Sequence, residues 1–153
     1  MPLVGMIGQN GGEMTHEFLR ISGGQANCYH ITENQRQSQT PDVLVVSEAS
    51  PVLKEVIPKL PAEGYLVVNA DDKSIFPYLQ PTNAKLITYG FNNKACITAS
   101  SITDESLHIC IQRSFQTLNG TQKDPQEYQT QKNDVVTPES TLAAASAWAI
   151  CGS

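Results

Sequence analysis

Short apolar runs closed by glycine or polar turn residues recur along the first ninety positions. Leu3-Val4-Gly5-Met6-Ile7-Gly8, Val43-Leu44-Val45-Val46, Tyr65-Leu66-Val67-Val68 and Lys85-Leu86-Ile87-Thr88-Tyr89 are the four clearest. A strand covered on both faces loses its apolar–polar alternation, so such runs predict buried parallel strands. Helical spacing fills the gaps between them. Met14, Phe18 and Ile21 share one face of a helix over Glu13 to Ile21, and Gly23-Gly24 ends it. Pro51 suits a first helical position, Val52, Val56 and Leu60 continue the stripe, and Gly64 stops it. A short helix is expected over Lys73 to Leu79, a short edge strand over Asn27 to Ile31, and an exposed loop over the glutamine-rich Thr32 to Pro41.

The pattern changes after Gly90. Ala95 to Ile102, Ser106 to Gln112 and Phe115 to Leu118 are strand-like with short polar connections, which predicts an antiparallel meander at the sheet edge. Thr121 to Asp134 has Tyr128 as its one large apolar side chain and reads as a mobile loop. Thr137 to Ile150 reads as a closing helix, with Thr137 as cap, Pro138 in the first turn and Glu139 at the positive end. Its small apolar stretch, Ala143 to Ala149, suits close packing on a sheet, with Trp148 in a core or an interface. Alternating strands and helices give an α/β fold: a three-layer, doubly wound, mostly parallel sheet of the P-loop or Rossmann-like type, with antiparallel strands at one edge. Its 153 residues fit a single domain spanning 1–153.

Charge and cysteine usage exclude several functions. The net charge is −5, and Lys and Arg are scattered singly, so no basic stripe exists for nucleic acid. Cys28, Cys96, Cys110 and Cys151 form no C-x-x-C pair, which argues against zinc. Cys96 and Cys110 read as small core residues. The opening run has no basic region before it, and no apolar run approaches the ~20 residues of a membrane span. These features point to a cytoplasmic chain with free thiols and no membrane contact.

In a doubly wound sheet, ligands bind beyond the carboxyl ends of the strands. The loops after Gly8, Ser47 and Val68 should open onto one crevice. Gly8-Gln9-Asn10-Gly11-Gly12 follows a strand and opens a helix, as a phosphate loop must. A working loop also needs a lysine for the phosphates and a hydroxyl for magnesium. Gly12 stands at the lysine position, and Glu13 follows. Near a phosphate the Glu13 carboxylate repels, by roughly 1–4 kcal/mol at ~4 Å; at a helix start it stabilises the dipole. Glu48 could hold magnesium through water, or simply start the next helix. Asn69, Asp71 and Asp72 could bond a base or ribose, or Asp71 or Asp72 could simply cap a helix. His16, His30 and His108 form no spaced set and read as structural.

These segments together resemble the ATP-binding central domain of the Mur ligases, which join amino acids to peptidoglycan precursors, and of their folylpolyglutamate and cyanophycin relatives. Gly8-Gln9-Asn10-Gly11-Gly12 resembles the family's G-T-N-G-K loop. Asp42 to Ser50 resembles its strand ending in E-x-S. Leu60-Pro61-Ala62-Glu63-Gly64 through Val68-Asn69-Ala70-Asp71-Asp72 resembles its L-P-x-x-G…N-x-D-D block, the most specific match. Ile87-Thr88-Tyr89-Gly90 resembles its I-T-F-G segment, and Val136 to Gly152 its closing helix. The departures are equally specific. The loop lysine and the hydroxyl after it are missing. Nine residues, 51–59, stand where the family carries a metal-binding histidine motif and a carbamylated lysine. The flanking substrate and amino-acid domains have no counterpart. By carry-over, Gly8, Asn10, Gly11 and Gly12 line the phosphate position, Asn69, Asp71 and Asp72 the adenine side, and Glu48 is the magnesium carboxylate. The resemblance thus implies ATP and Mg2+ held weakly or not at all, no catalytic residue, and a regulatory role or contact with a protein partner or second copy. It leaves two alternatives open: a domain for another nucleotide or anion, or a carboxylate–amine ligase subunit completed by another chain.

Overall fold

The computed structural model describes residues 2–33, 40–79, 82–132 and 134–152. Most of the loop expected over Thr32 to Pro41 lies outside these residues. Ten strands and three α-helices are found among them: β1 (Leu3–Ile7), α1 (Gly11–Ser22), β2 (Asn27–His30), β3 (Val43–Val46), α2 (Leu53–Val56), β4 (Tyr65–Asn69), β5 (Lys85–Tyr89), β6 (Ile97–Ile102), β7 (Ser106–Ile111), β8 (Phe115–Gln116), β9 (Gln122–Lys123), β10 (Gln126–Gln131) and α3 (Pro138–Cys151). Eight strands form one sheet in the order β10-β7-β6-β5-β4-β3-β1-β2. From β2 to β6 every pairing is parallel, and β6-β7-β10 is antiparallel. The fold is therefore the three-layer, doubly wound α/β sheet with an antiparallel edge that the pattern predicts, in the 2-1-3-4-5 strand order whose switch point lies between β1 and β3.

Alternate residues of the apolar strands serve two cores. Val4, Met6, Val43, Val45, Tyr65 and Val67 face α1 and α3, packing with Met14, Phe18 and the alanines of α3. Ile7, Leu44, Val46, Leu66 and Val68 face the other way, against Leu53, Ile57 and Ile75. Burying such a side chain contributes about 1.5–3 kcal/mol, so each face alone could hold a layer in place. The small side chains of α3 let it sink deep, and Leu142 to Ala145 are at most 2% exposed. Phe18 meets Trp148 edge to face at 6.1 Å between centroids.

Helix boundaries follow the backbone chemistry. Gly23 at φ 62 ends α1 in the left-handed conformation, and Thr137 caps α3 by accepting the Ser140 N–H. The single helix expected after Pro51 is one α-turn continued by a 3-10 turn over Ile57–Lys59. Pro58 has no N–H to extend the α ladder. Likewise Lys73–Tyr78 is a 3-10 turn containing Pro77.

Two expectations are corrected. Phe115–Gln116 does not join the meander; it pairs with Gln122–Lys123 in a separate two-stranded sheet. Thr121 to Asp134 is not simply a loop, because Gln126–Gln131 pairs antiparallel with β7 along its whole length. The free edge of β7 supplies backbone partners, so this polar segment needs only Tyr128 to anchor it in the core.

Candidate functional site

The carboxyl ends of β1, β3 and β4 lie side by side, and the predicted residues do converge there. Asn69 Nδ2 donates to Ser47 O at 3.1 Å, and Ser47 Oγ donates to Asn10 Oδ1 at 2.5 Å. Asn10 Nδ2 in turn donates to Ser140 Oγ at 3.0 Å, which ties the glycine loop to the start of α3. Both ends of the Asn10 amide are thus engaged by protein.

The loop itself is a tight turn. Gly11 N donates to Gly8 O at 3.0 Å. His30 Nε2 lies 3.1 Å from the same carbonyl, so that nitrogen carries the proton of this contact. Gly8 has φ 141, and a Cβ there would sit 1.8 Å from Ser47 Oγ. A Cβ on Gly11 would meet the His30 ring at 2.2 Å, whereas one on Gly12 would meet nothing within 4 Å. The His30 contact is with the loop backbone.

Carboxylates occupy the backbone donors around this crevice. Glu48 Oε1 accepts the Gln9 N–H at 2.5 Å. Asp71 accepts the Phe91 N–H at 2.7 Å and the Asn92 N–H at 3.1 Å, one on each oxygen. Gly90, at φ 155, is shaped to that contact, since a Cβ would lie 2.8 Å from Asp71 Oδ2. Asp72 caps the following 3-10 turn by accepting the Ser74 N–H at 3.0 Å. Asn69 Oδ1 accepts the Asp71 N–H at 2.9 Å. Asp72 thus caps a turn, whereas Asp71 bonds the loop after β5 and Asn69 bridges Ser47 and Asp71.

Glu13 bonds the start of α3. Its Oε1 accepts the Thr137 N–H at 2.5 Å. In a capping box a glutamate of the same helix bonds the cap residue's N–H; here the neighbouring helix provides it. That backbone bond is the main cause holding the Glu13 carboxyl below its ordinary range. A depressed carboxylate contributes stability above its unfolded pKa and loses it as pH falls through the folded one. Glu13→Gln should therefore lower the melting temperature at neutral pH by a degree or two, with the difference vanishing at strongly acidic pH. An unchanged gap at both ends of a melting series from pH 7 to pH 3 would sink this assignment.

The donor set fits magnesium poorly. One carboxylate is present at the loop, and one of its oxygens is engaged by Gln9 N. Among the described residues no three His, Cys, Asp or Glu side chains converge to hold a metal. Ser140 joins the site without any local sequence signal. Ser140 lies 130 positions from the Asn10 that it binds. No described helix is long and apolar enough to cross a membrane. The cysteines are free, with Cys96 buried and Cys110 half-buried, and burial pushes the Cys28 thiol up to about 11. The chain matches no family model and no curated protein.

Proposed function

We propose that this chain is a non-catalytic, Mur-ligase-like domain that acts in regulation or partner contact, with a nucleotide loop closed by its own side chains. The observation that carries this reading is the Glu48 carboxylate on Gln9 N at 2.5 Å. A phosphate held by this loop would need that N–H, and it would have to displace an internal anion to reach it. The tight Gly8–Gly11 bond and the doubly bonded Asn10 amide act in the same direction. A different anion at this turn meets the same competitor, so the loss extends beyond ATP. Any tie to peptidoglycan synthesis follows from the family resemblance. A cytoplasmic location agrees with four free cysteines.

The test is calorimetric titration of MgATP into the wild type, Gly12→Lys, and Gly12→Lys/Glu48→Gln. Gly12 is the site of choice because a side chain there meets open space. Wild type should bind with a Kd weaker than about 1 mM, and the double variant at least tenfold more tightly. Binding by wild type at micromolar ATP, or turnover of ATP, would overturn the reading.

A further inference from the structure

We propose that the cleft between α1, α3 and the β10 edge is a binding site for a small aromatic carboxylate, one ring in size. The cleft originates in the composition of α3. After Glu139 that helix carries no charged residue, and Ser140 to Ala147 are buried without a break. A helix with no polar face needs cover on every side. The sheet supplies it by curling. α3 touches β3, β4, β5, β6 and β7 in turn. α1 packs on β2 at one edge of the sheet, and its Arg20 Nη2 donates to Gln131 O of β10, at the opposite edge, at 2.9 Å. Both edges thus meet α1, with α3 enclosed. The seam does not close completely. It leaves a cleft of about 180 Å³, walled by Ile21 of α1, Ala145 and Trp148 of α3, Tyr128 and Thr130 of β10, and Lys123 of β9. Ile21 stands at the end of α1 remote from the glycine loop, so this site is independent of the closed crevice.

Size and chemistry together select the ligand. An apolar cavity of about 150 Å³ holds one benzene ring, so this cleft takes a single ring with a short substituent. The helix side offers Ile21, Ala145 and Trp148, an apolar wall with one aromatic ring for a second to stack on or meet edge to face. The strand side offers two donors. Tyr128 is half-buried, and among the described residues its hydroxyl has no hydrogen-bond partner. Burial pushes that phenol up to about 12, so it keeps its proton at neutral pH. An unmet hydroxyl in a half-dry site is a cost that a ligand acceptor removes. Lys123 is the one charged side chain in the cleft wall, and no carboxylate lines it among the described residues. In a chain of net charge −5 the local sign is therefore reversed, which favours an anion. A phenol and an ammonium both donate, and a carboxylate accepts from both.

Trp148 is the single tryptophan of the chain, so its fluorescence reports on this cleft directly. Benzoate titrated into the wild-type chain should change that fluorescence saturably, with a Kd of about 1 mM or tighter. Cyclohexanecarboxylate keeps the charge and loses the aromatic face; benzylamine keeps the ring and reverses the charge. Each should bind at least about fivefold more weakly than benzoate. Tyr128→Phe and Lys123→Gln should each weaken benzoate about fivefold, and Lys123→Gln should also erase the preference over benzylamine. Circular dichroism checks the fold of both variants, and the three-ligand comparison on wild type stands without them. Amide shifts locate the site: those of Tyr128, Thr130 and Ala145 should move with benzoate, and those of Gly8 to Gly12 should not. Fluorescence that shows no saturation up to about 20 mM benzoate overturns the proposal. So does equal binding by either analogue, or a set of shifts centred on another surface.

Discussion

Arg20→Met is expected to lower the unfolding free energy by about 3–5 kcal/mol, because it strands a buried carboxylate. Glu17 is 0% exposed within α1. Arg20 Nε donates to its Oε2 at 2.7 Å, Arg20 Nη2 to its Oε1 at 3.2 Å, and Thr141 Oγ1 of α3 to Oε1 at 2.7 Å. An i,i+3 ion pair on an exposed helix is worth a few tenths of a kcal/mol. This one differs because one partner has no access to water. Removing the guanidinium leaves Thr141 Oγ1, among the described residues, as the remaining side-chain donor to a full charge at the α1–α3 contact. Methionine keeps much of the aliphatic volume, so lost packing contributes little. Removing both charges should cost less than removing one: Glu17→Leu/Arg20→Met is expected to be at least 2 kcal/mol more stable than Arg20→Met alone. For a domain of this size the single change corresponds to a fall in melting temperature of about 6–20 °C. Urea unfolding of the three proteins measures both differences. A loss below about 1 kcal/mol for Arg20→Met would mean that water reaches Glu17 and that the pair behaves as a surface bridge.

Arg20 also shows why parts of this fold were legible in the sequence and others were not. The strands β1, β3 and β4 are apolar throughout because helices cover both faces, and that uniformity is visible in any window. The edge strand β10 is the opposite case. Its two faces read Gln-Tyr-Thr and Glu-Gln-Gln, so polar residues mask the period of two, and its order comes from the β7 ladder and from Arg20 on the Gln131 carbonyl. Nothing within Thr121 to Asp134 announces either partner. The crevice was legible for the same reason as the central strands. Parallel neighbours bring Gly8, Ser47 and Asn69 together once their strands are placed, and the short local turn of Asp72 onto Ser74 was one of the two roles weighed for it. What the carboxylates bond was not legible. Glu13 finds Thr137, Glu48 finds Gln9 and Asp71 finds Phe91 through contacts spanning 20 to 124 positions. Residue type alone does not tell which backbone N–H a carboxylate beside a glycine turn will find; for Glu48 it is that of Gln9, at 2.5 Å.

Gly8→Ala carries the second large effect and bears on whether the loop can open. Two separate costs fall on that Cβ. The backbone sits at φ 141, where an L side chain is strained by about 1–3 kcal/mol. The Cβ would also stand 1.8 Å from Ser47 Oγ, which cannot withdraw freely because it donates to Asn10 Oδ1. Overpacking of that kind costs about 1–3 kcal/mol. A combined loss of about 3–5 kcal/mol is expected, and Gly8→Ala/Ser47→Gly should recover only the steric share. Gly12→Ala is the internal control. Its Cβ meets nothing within 4 Å in the first turn of α1, so it should be neutral or stabilising by up to about 1 kcal/mol. Denaturant melts of the four proteins separate the two costs. If Gly8→Ala proved as mild as Gly12→Ala, the turn would be able to relax around Ser47. A loop that relaxes could also release Gln9 from Glu48, and the proposed closure of a nucleotide loop would lose its physical basis. A large, partly rescued loss would mean that β1, β3 and the Asn10 amide hold the turn rigid, and that opening it for any anion must break the Ser47–Asn10–Ser140 chain first.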